Sequence, residues 1–329
     1  MGPFEYVRAE DAERAVAVVT ADPRAAFLAG GTTQVDLMKD GVLAPSRLVD
    51  VTRLPLGGIV HGDGVVRVGA LTTMEELAAD PVVGARLGFV REALLAGASP
   101  QLRNMATIGG NLLQRARCRY FRDPSVAACN KRAPGSGCAA VAGPARMHAV
   151  LGTSPHCVAL HASDVAVPLT AVDAVVHVLG VAGPRTVPLT DFYVPPGDTP
   201  HLENVLRRGE LITAVEVPLL PEGARSHYLK VRDRASYEFA LASAGVVLEL
   251  DGETIVRARV ALGGVGTIPW RSWDAEDVLT WASVDRAVFR DAAEAALAGA
   301  RTLPGTEFKV ELARRTLVRA LETAAGVVS

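Results

Sequence analysis

The spacing of apolar and polar residues changes several times along this chain, and these changes predict its secondary structure. Helical spacing of apolar residues predicts a helix at 11–21, and an apolar run predicts a buried strand at 25–29. A glycine-bearing loop is expected at 101–113, and the stretch 114–155 has no sustained period. Long stretches of this kind inside a compact domain are usually functional. Further strands are predicted at 47–51, 65–68, 157–160, 174–179, 185–188 and 211–217, and further helices at 73–79 and 84–96.

Proline, glycine and charged residues cluster at 218–225 and predict a boundary between one domain at 1–220 and a second at 225–329. In the second domain, three strands are expected at 227–232, 242–250 and 255–262, and Asp251-Gly252 is a hairpin signal between the last two. Helices are predicted at 274–281, 284–297 and 307–325. The pattern predicts an α+β fold whose second domain has a three-stranded antiparallel sheet and a helical bundle.

Composition narrows the functional classes. The chain has 329 residues, of which 49% are hydrophobic, and its formal net charge is -2. This charge does not indicate a nucleic-acid partner, and no apolar run is long enough for a membrane span. The N-terminus lacks the basic and apolar regions of a signal peptide, which predicts a cytoplasmic protein. Export to the periplasm inside a complex, on the signal of a partner subunit, stays open.

Two glycine pairs are candidate ligand loops. Gly30-Gly31-Thr32-Thr33 follows the predicted strand at 25–29, and Thr107-Ile108-Gly109-Gly110-Asn111 precedes the aperiodic stretch. Glycines let successive backbone amides turn toward an anion such as a phosphate. A plain tight turn is the alternative for either loop. Two such loops are a better signal than one, because a pyrophosphate needs donors from both sides.

All four cysteines lie within the aperiodic stretch, as Cys118, Cys129, Cys138 and Cys157. Zinc ribbons use close cysteine pairs, so this wide spacing favours four loop ligands around a [4Fe–4S] cluster. Four buried free thiols are the alternative, and His148 and His156 are further candidate ligands. Basic residues that suit an anionic cluster surround the first two cysteines: Arg115, Arg117, Arg119, Arg122, Lys131 and Arg132.

The segments LAGGTTQVDLMK and RNMATIGGNLLQ together resemble the two FAD pyrophosphate loops of a known family. This is the flavoprotein (medium) subunit of molybdenum hydroxylases, which include xanthine dehydrogenase, aldehyde oxidoreductase and carbon monoxide dehydrogenase. The resemblance covers essentially the whole chain. It implies a two-subdomain FAD-binding domain of the vanillyl-alcohol-oxidase (PCMH) type. The insertion at about 114–157 is similar to that of periplasmic-type aldehyde oxidoreductases and 4-hydroxybenzoyl-CoA reductase, where four cysteines hold an extra [4Fe–4S] cluster beside FAD.

Carried over by position, the resemblance implies a set of cofactor contacts. Asp164 matches an aspartate that contacts the cofactor, and Lys230 matches a lysine near the flavin ring. Thr33-Gln34 departs from the Asp or Asn-Leu of many members, which puts side-chain contacts there in doubt. The FAD pyrophosphate would be wrapped by Leu28, Ala29, Gly30, Gly31, Thr32, Thr33, Gln34 and Val35, with Thr107, Gly110 and Asn111 as a second wall.

The resemblance also implies a role in electron transfer. A large subunit with a molybdenum cofactor would oxidise an aldehyde or heterocycle, and a small subunit would pass electrons through [2Fe–2S] clusters to this FAD and on to an external acceptor. No catalytic triad or paired carboxylate is evident, because the flavin would do the redox chemistry. Two alternatives stay open: a stand-alone FAD oxidoreductase, and a zinc-stapled binding module without a redox role.

Overall fold

A computed structural model describes residues 1–327 and begins with a small parallel sheet. Helix α1 (Ala12–Ala21) begins after Asp11, whose carboxylate accepts a hydrogen bond from the Arg14 amide at 2.6 Å. Helix α2 (Gln34–Lys39) follows the second strand and its glycine pair. The strands run in the order β1-β3-β2, with β1 at Glu5–Arg8, β2 at Ala25–Leu28 and β3 at Arg47–Asp50.

A five-stranded antiparallel sheet forms the second layer of the N-terminal part. Its order is β4-β5-β8-β6-β7, so the last strand in sequence lies at the centre. Helix α3 starts at a capping box in which the Thr73 hydroxyl and the Glu76 carboxylate satisfy each other's backbone amides. The strands are β4 (Ile59–Gly62), β5 (Val65–Gly69), β6 (Val175–Gly180), β7 (Gly183–Pro188) and β8 (Leu211–Pro218). The helices are α3 (Met74–Ala79), α4 (Pro81–Arg86), α5 (Gly88–Ala96), α6 (Pro100–Arg103), α7 (Ile108–Leu112), α8 (Arg119–Arg122), α9 (Ala166–Ala171) and α10 (Leu189–Phe192).

Three local predictions need correction. The predicted loop at 101–113 contains α6 and α7, because Ser99 and Thr107 each accept a hydrogen bond from the third backbone amide that follows. The predicted helix at 84–96 is two helices that meet at Leu87, whose backbone leaves the helical region. The predicted strand at 157–160 is not a strand, and only a single bridge joins Cys157 to Ser154.

The C-terminal part is an antiparallel sheet covered by three helices. The α+β fold class is confirmed, but the sheet has four strands instead of the predicted three, because a two-residue strand pairs with β11. Val150 and Leu151 from the cysteine-bearing stretch pack into the same core as Phe289 and Leu317, which anchors that stretch to this part. The elements are β9 (Arg225–Val231), β10 (Ala242–Asp251), β11 (Thr254–Gly263), β12 (Trp270–Arg271), α11 (Trp273–Leu279), α12 (Arg286–Leu297) and α13 (Phe308–Ala325). None of the helices within 1–327 is long and apolar enough to span a membrane.

Candidate functional site

The first glycine pair forms a tight loop at the end of β2. A Cβ on Gly30 would lie 1.7 Å from the carbonyl oxygen of Met105, so only glycine lets these two segments approach. Gly31 has a φ of +74°, a conformation that glycine adopts without strain. Within residues 1–327, the backbone amides of Gly31, Thr32 and Thr33 donate to no protein group. Three successive unpaired amides are suited to hold an anion.

The second glycine loop lies at the start of α7. The Thr107 hydroxyl accepts a hydrogen bond from the Gly110 amide at 3.2 Å, and a Cβ on Gly109 would lie 2.9 Å from Ala70. The side-chain oxygen of Asn111 accepts a hydrogen bond from the Ser163 hydroxyl at 2.6 Å. This contact ties the second loop to the segment that carries Asp164.

Three adjoining cavities run past these loops. The first, of about 250 Å³, is lined by both glycine loops. The second, of about 220 Å³, shares Thr32, Thr33 and Gly110 with the first and reaches Asp164. The third, of about 600 Å³, shares Arg117 and Asp164 with the second and extends to Cys118. Through these shared residues the three cavities form one cleft, which extends from the end of β2 to Cys118 in the cysteine-bearing stretch.

Most of the predicted FAD contacts line this cleft. Asn111 and Asp164 line the second cavity. The first cavity is lined by Ala29, Gly30, Gly31, Thr32, Thr33, Gln34, Thr107 and Gly110. The remaining three predicted residues, Leu28, Val35 and Lys230, line none of the three cavities.

Asp164 and Lys230 form a buried ion pair at the far end of the second cavity. The Lys230 Nζ lies 2.8 Å from Asp164 Oδ2, and the two side chains are only 3% and 10% exposed. The Tyr228 hydroxyl donates to the other carboxylate oxygen at 2.8 Å, and burial beside this carboxylate raises the pKa of Tyr228. Lys230 therefore lies behind Asp164 and holds its carboxylate toward the cavity.

The four cysteines lie on neighbouring loops. Cys129 and Cys138 face each other in a short antiparallel bridge. Cys129 and Cys157 belong to one buried cluster, against which the partly buried Cys118 packs. None of the four forms a disulfide. Burial, together with the neighbouring thiols of Cys129 and Cys157, raises the pKa of Cys118 to about 11.

Polar contacts hold the cysteine segments together. Asn130 accepts a hydrogen bond from the Gly137 amide at 2.8 Å and donates to the His156 carbonyl at 3.0 Å. Arg132 donates to the carbonyls of Tyr120 and Phe121 at 2.7 and 2.8 Å. These contacts link the segments around Cys129 and Cys138 to those of Cys118 and Cys157.

The predicted histidine ligands differ in their placement. The buried His148 has its Nε2 atom 3.2 Å from the sulfur of Cys118. His156 is exposed and lies 3.3 Å from Asp198. Within residues 1–327, no group of three or more cysteine, histidine, aspartate or glutamate side chains is compact enough to hold one metal ion.

The basic residues of this stretch are partly neutralised by acidic neighbours. Arg117 and Arg122 both contact Asp36, at 2.9 and 2.5 Å, and Arg122 also contacts Asp40 at 2.7 Å. Lys131 contacts Glu203 at 2.9 Å, and Arg115 pairs with the same carboxylate. The positive charge around the cysteines is smaller than the sequence alone indicates.

Sequence reasoning missed Tyr228, which contacts Asp164, and two aromatic residues that line the cleft. Tyr228 lies two positions before Lys230 on the same face of β9, so strand alternation could have found it. The loop after β9 places Tyr237 and Phe239 against the second cavity. Tyr237 has a φ of +52°, a strained conformation for this residue type. No periodic signal marks this loop in the sequence.

Comparison with known proteins agrees with the fold. Residues 2–220 match the family described as the FAD binding domain in molybdopterin dehydrogenase, and residues 227–324 match the CO dehydrogenase flavoprotein C-terminal domain. The chain therefore belongs to the FAD-binding medium subunits of the molybdenum hydroxylase family. The predictions that it is an oxidoreductase subunit and that it binds FAD are confirmed at this level.

Individual relatives cover nearly the full chain. It is 46% identical to the aldehyde oxidoreductase FAD-binding subunit PaoB of Escherichia coli, over 98% of this chain and 99% of that protein. It is 29% identical to the carbon monoxide dehydrogenase medium chain of Afipia carboxidovorans, over 98% and 97%. A crystal structure of Cu,Mo-CO dehydrogenase superposes with a TM-score of 0.78 at 27% identity, covering 99% of both chains.

Proposed function

We propose that FAD lies along the first and second cavities and is held by the residues that the family resemblance implies. The observation that carries this proposal is that Thr32, Thr33 and Gly110 line both cavities. The unpaired amides at Gly31, Thr32 and Thr33 supply donors for the pyrophosphate. Gly110 and Asn111 form the opposite wall.

In this arrangement each buried group has a defined task. Asp164 is the acceptor at the far end of the second cavity, positioned by Lys230 and Tyr228. Leu28, Val35 and Lys230 would support the residues that contact FAD without contacting it themselves, since they line none of the three cavities. FAD would supply the redox chemistry, and the chain binds and orients it.

A [4Fe–4S] cluster held by Cys118, Cys129, Cys138 and Cys157 is the second part of the proposal. It is supported by four free thiols on neighbouring loops and by the hydrogen bonds that hold these loops together. A cube of four irons can bind four thiolates that come from separate loops. His148, beside Cys118, would lie just outside the ligand set.

The chain would act as the electron-transfer subunit of a heterotrimeric aldehyde- or xanthine-type dehydrogenase. Its partners would be a large molybdenum-cofactor subunit and a small [2Fe–2S] subunit, with an external electron acceptor. The names of the relatives support this, since they include medium chains and a subunit of a dehydrogenase complex. Division into domains at 1–220 and 225–329 is part of the proposal. The cytoplasmic location, with export on a partner's signal as its alternative, stays a prediction.

Counting iron, acid-labile sulfide, zinc and FAD in the purified complex tests the cofactor content. We compare the natural chain with Cys129→Ser and with Ser125→Ala, a matched change on the surface of the same stretch. We expect Cys129→Ser to lose the four irons of one cluster and to keep its FAD, and Ser125→Ala to lose neither. Unchanged iron in Cys129→Ser, or zinc in the natural chain in place of that iron, contradicts the cluster assignment.

The same variant tests whether the cluster exchanges electrons with FAD. Rapid mixing of reduced complex with a series of acceptors gives the rate of flavin reoxidation for each acceptor. We expect Cys129→Ser to change this rate for some acceptors, because one store or exit for electrons is gone. An unchanged rate of FAD reduction and an unchanged acceptor profile, in a folded variant without the cluster, would exclude this role.

A further inference from the structure

Two of the three tryptophans of the chain are exposed at helix α11. Trp273, the first residue of the helix, is 56% exposed, and Trp281, which follows the helix end, is 74% exposed. The other side of α11 packs into the core of the C-terminal part through Ala275 and Leu279. Tryptophan is enriched where proteins meet and is often the residue that contributes most to binding. We name the exposed side the tryptophan surface, and it consists of Trp273, Asp274, Asp277, Val278 and Trp281.

The tryptophan surface has the spacing of one side of a helix. Trp273, Asp277 and Trp281 follow one another at intervals of four residues, and residues four apart lie on the same side of a helix. Beyond the helix end, the Trp281 amide donates to the Ile255 carbonyl at 2.6 Å. The φ of Trp281 is +66°, which is strained for a large side chain. The fold therefore holds this exposed ring in place at a conformational cost.

The carboxylates of the tryptophan surface have no cationic partner. Asp274 and Asp277 are exposed, and neither forms an ion pair within residues 1–327. Arg271, which precedes the helix, is paired with Asp173 at 3.0 Å and with Glu276. The negative charge of the two exposed carboxylates is therefore available to a partner.

The turn between β10 and β11 brings further carboxylates close to Trp281. The Val284 amide donates to the Glu253 carbonyl at 2.7 Å, which holds this turn beside the segment that follows α11. Three exposed acidic residues lie here, and none forms an ion pair in the part of the chain that the structure describes: Asp251, Glu253 and Asp285.

Two further arginines are near these residues in the sequence, and each has another partner. Arg257 lies 4.0 Å from Glu249, and Arg286 lies 2.9 Å from Glu322. The region around Trp281 is therefore negatively charged as well as apolar, which is the combination that a basic partner needs.

One ring of the tryptophan surface already contacts a cation. The Arg271 guanidinium lies over the ring of Trp273, 4.3 Å from its centroid. Within residues 1–327, no arginine or lysine lies over the ring of Trp281 in this way. Tryptophan attracts a cation more strongly than the other aromatic residues do. The free ring of Trp281 therefore suits a lysine or arginine side chain of another protein.

The tryptophan surface lies far from the cleft. Trp281 is held beside Ile255, near the start of β11, whereas Gly264, just after the end of that strand, lines the third cavity. At about 3.3 Å per residue, these two positions are about 30 Å apart along the strand. A partner on the tryptophan surface therefore leaves the cleft open.

We propose that the tryptophan surface binds a second protein through a segment that carries lysine or arginine, with Trp281 as the central contact. This inference goes beyond the proposed function and does not depend on FAD or on the cluster. A membrane would bring anionic headgroups against the carboxylates. A symmetric pair of copies would place the same carboxylates face to face. Charge therefore favours a basic protein over both.

Fluorescence anisotropy with the purified complex tests this inference. The probes are a fluorescein-labelled hexaarginine peptide and a labelled hexaglutamate peptide. We compare Trp281→Ala, Trp281→Phe and Asp277→Asn with the natural chain. The matched controls are Val181→Ala, at a residue that is 71% exposed between β6 and β7, and Asp63→Asn, at an exposed carboxylate between β4 and β5.

We expect Trp281→Ala to raise the dissociation constant for hexaarginine at least about tenfold, because it removes the ring at the centre of the contact. Trp281→Phe keeps an aromatic face and should recover part of this loss. Asp277→Asn should raise the constant about threefold and make binding less sensitive to salt. Both controls should bind as the natural complex does, and hexaglutamate should not bind.

A subunit of the complex that already covers the tryptophan surface would give a different supporting result. In that case Trp281→Ala loses this subunit on gel filtration, whereas Val181→Ala keeps it. The lost subunit would then be the basic partner.

Equal binding of hexaarginine by all variants, or no binding at all, overturns the inference if no subunit is lost. Binding to phosphatidylcholine vesicles that Trp281→Ala abolishes would assign the surface to a membrane and would also overturn it. The same holds for a dimer of the complex that Trp281→Ala dissociates, since the partner would then be a second copy. Circular dichroism controls for folding, and Asp277→Asn decides the outcome if Trp281→Ala does not fold.

Discussion

Replacing Lys230 with methionine should destabilise the protein strongly, because it leaves Asp164 buried without its cation. The two side chains are 3% and 10% exposed and lie 2.8 Å apart. Methionine keeps the length of the side chain and removes only the charge. The carbonyl of Ala96, which also accepts from Lys230, keeps a second donor in Arg232 at 2.9 Å. The loss therefore falls almost wholly on Asp164.

Removal of one partner from a buried ion pair costs about 3–5 kcal/mol. Asp164 keeps the hydrogen bond from Tyr228, so we expect the lower end of this range, about 3 kcal/mol. The double variant Lys230→Met/Asp164→Asn has no buried charge left and should recover part of this loss. Because Asp164 also lines the second cavity, Lys230→Met should retain less FAD after dilution.

Urea unfolding, followed by circular dichroism and by flavin fluorescence, measures the free energy of unfolding in each variant. The control is Arg257→Met, which removes a surface pair with Glu249 at 4.0 Å whose side chains are 61% and 24% exposed. Surface pairs contribute about 0–1 kcal/mol. The reasoning is refuted if Lys230→Met costs no more than Arg257→Met, or if the double variant is less stable than Lys230→Met.

Three further predictions follow from single contacts. Gly30→Ala should abolish FAD retention, measured by cofactor content, because its Cβ would lie 1.7 Å from the Met105 carbonyl. Burial lowers the pKa of Lys309 from 10.5 to about 7, so the unfolded chain binds more protons in this window and stability rises with pH. Lys309→Met should remove that slope, which is at most about 1.4 kcal/mol per pH unit, in urea unfolding between pH 7 and 10; an unchanged slope contradicts it. Asn130→Ala should lower the iron content without loss of FAD, since it cuts the hydrogen bond to the His156 carbonyl.

Much of the fold could be predicted, because the apolar residues of its longer helices and strands recur with the period of those elements. The strands β9, β10 and β11 of the C-terminal part and the helix at 307–325 are where their apolar spacing places them. The fourth strand of that sheet was missed because two residues, Trp270 and Arg271, carry no period. Helices α6 and α7 were missed for a similar reason: each is short and formed around a cap, by Ser99 and Thr107.

The part of the candidate site that is formed by backbone atoms could be predicted from the sequence. Gly30 and Gly110 line the cleft, as their sequence context indicates. Side-chain pairing was not predictable in the same way. Nothing local in the sequence shows that Lys230 lies behind Asp164, or that Asp36 neutralises arginines some eighty positions later. Such contacts depend on which distant segments the fold brings together.

The visible absorption spectrum of the purified protein tests the central claim most directly, because FAD and a [4Fe–4S] cluster absorb in different ways. The account predicts flavin bands on a broad iron–sulfur background. Cys129→Ser should remove the background that belongs to this cluster and leave the flavin bands. A colourless protein that retains only zinc, or flavin bands with a background that Cys129→Ser does not change, would contradict the account.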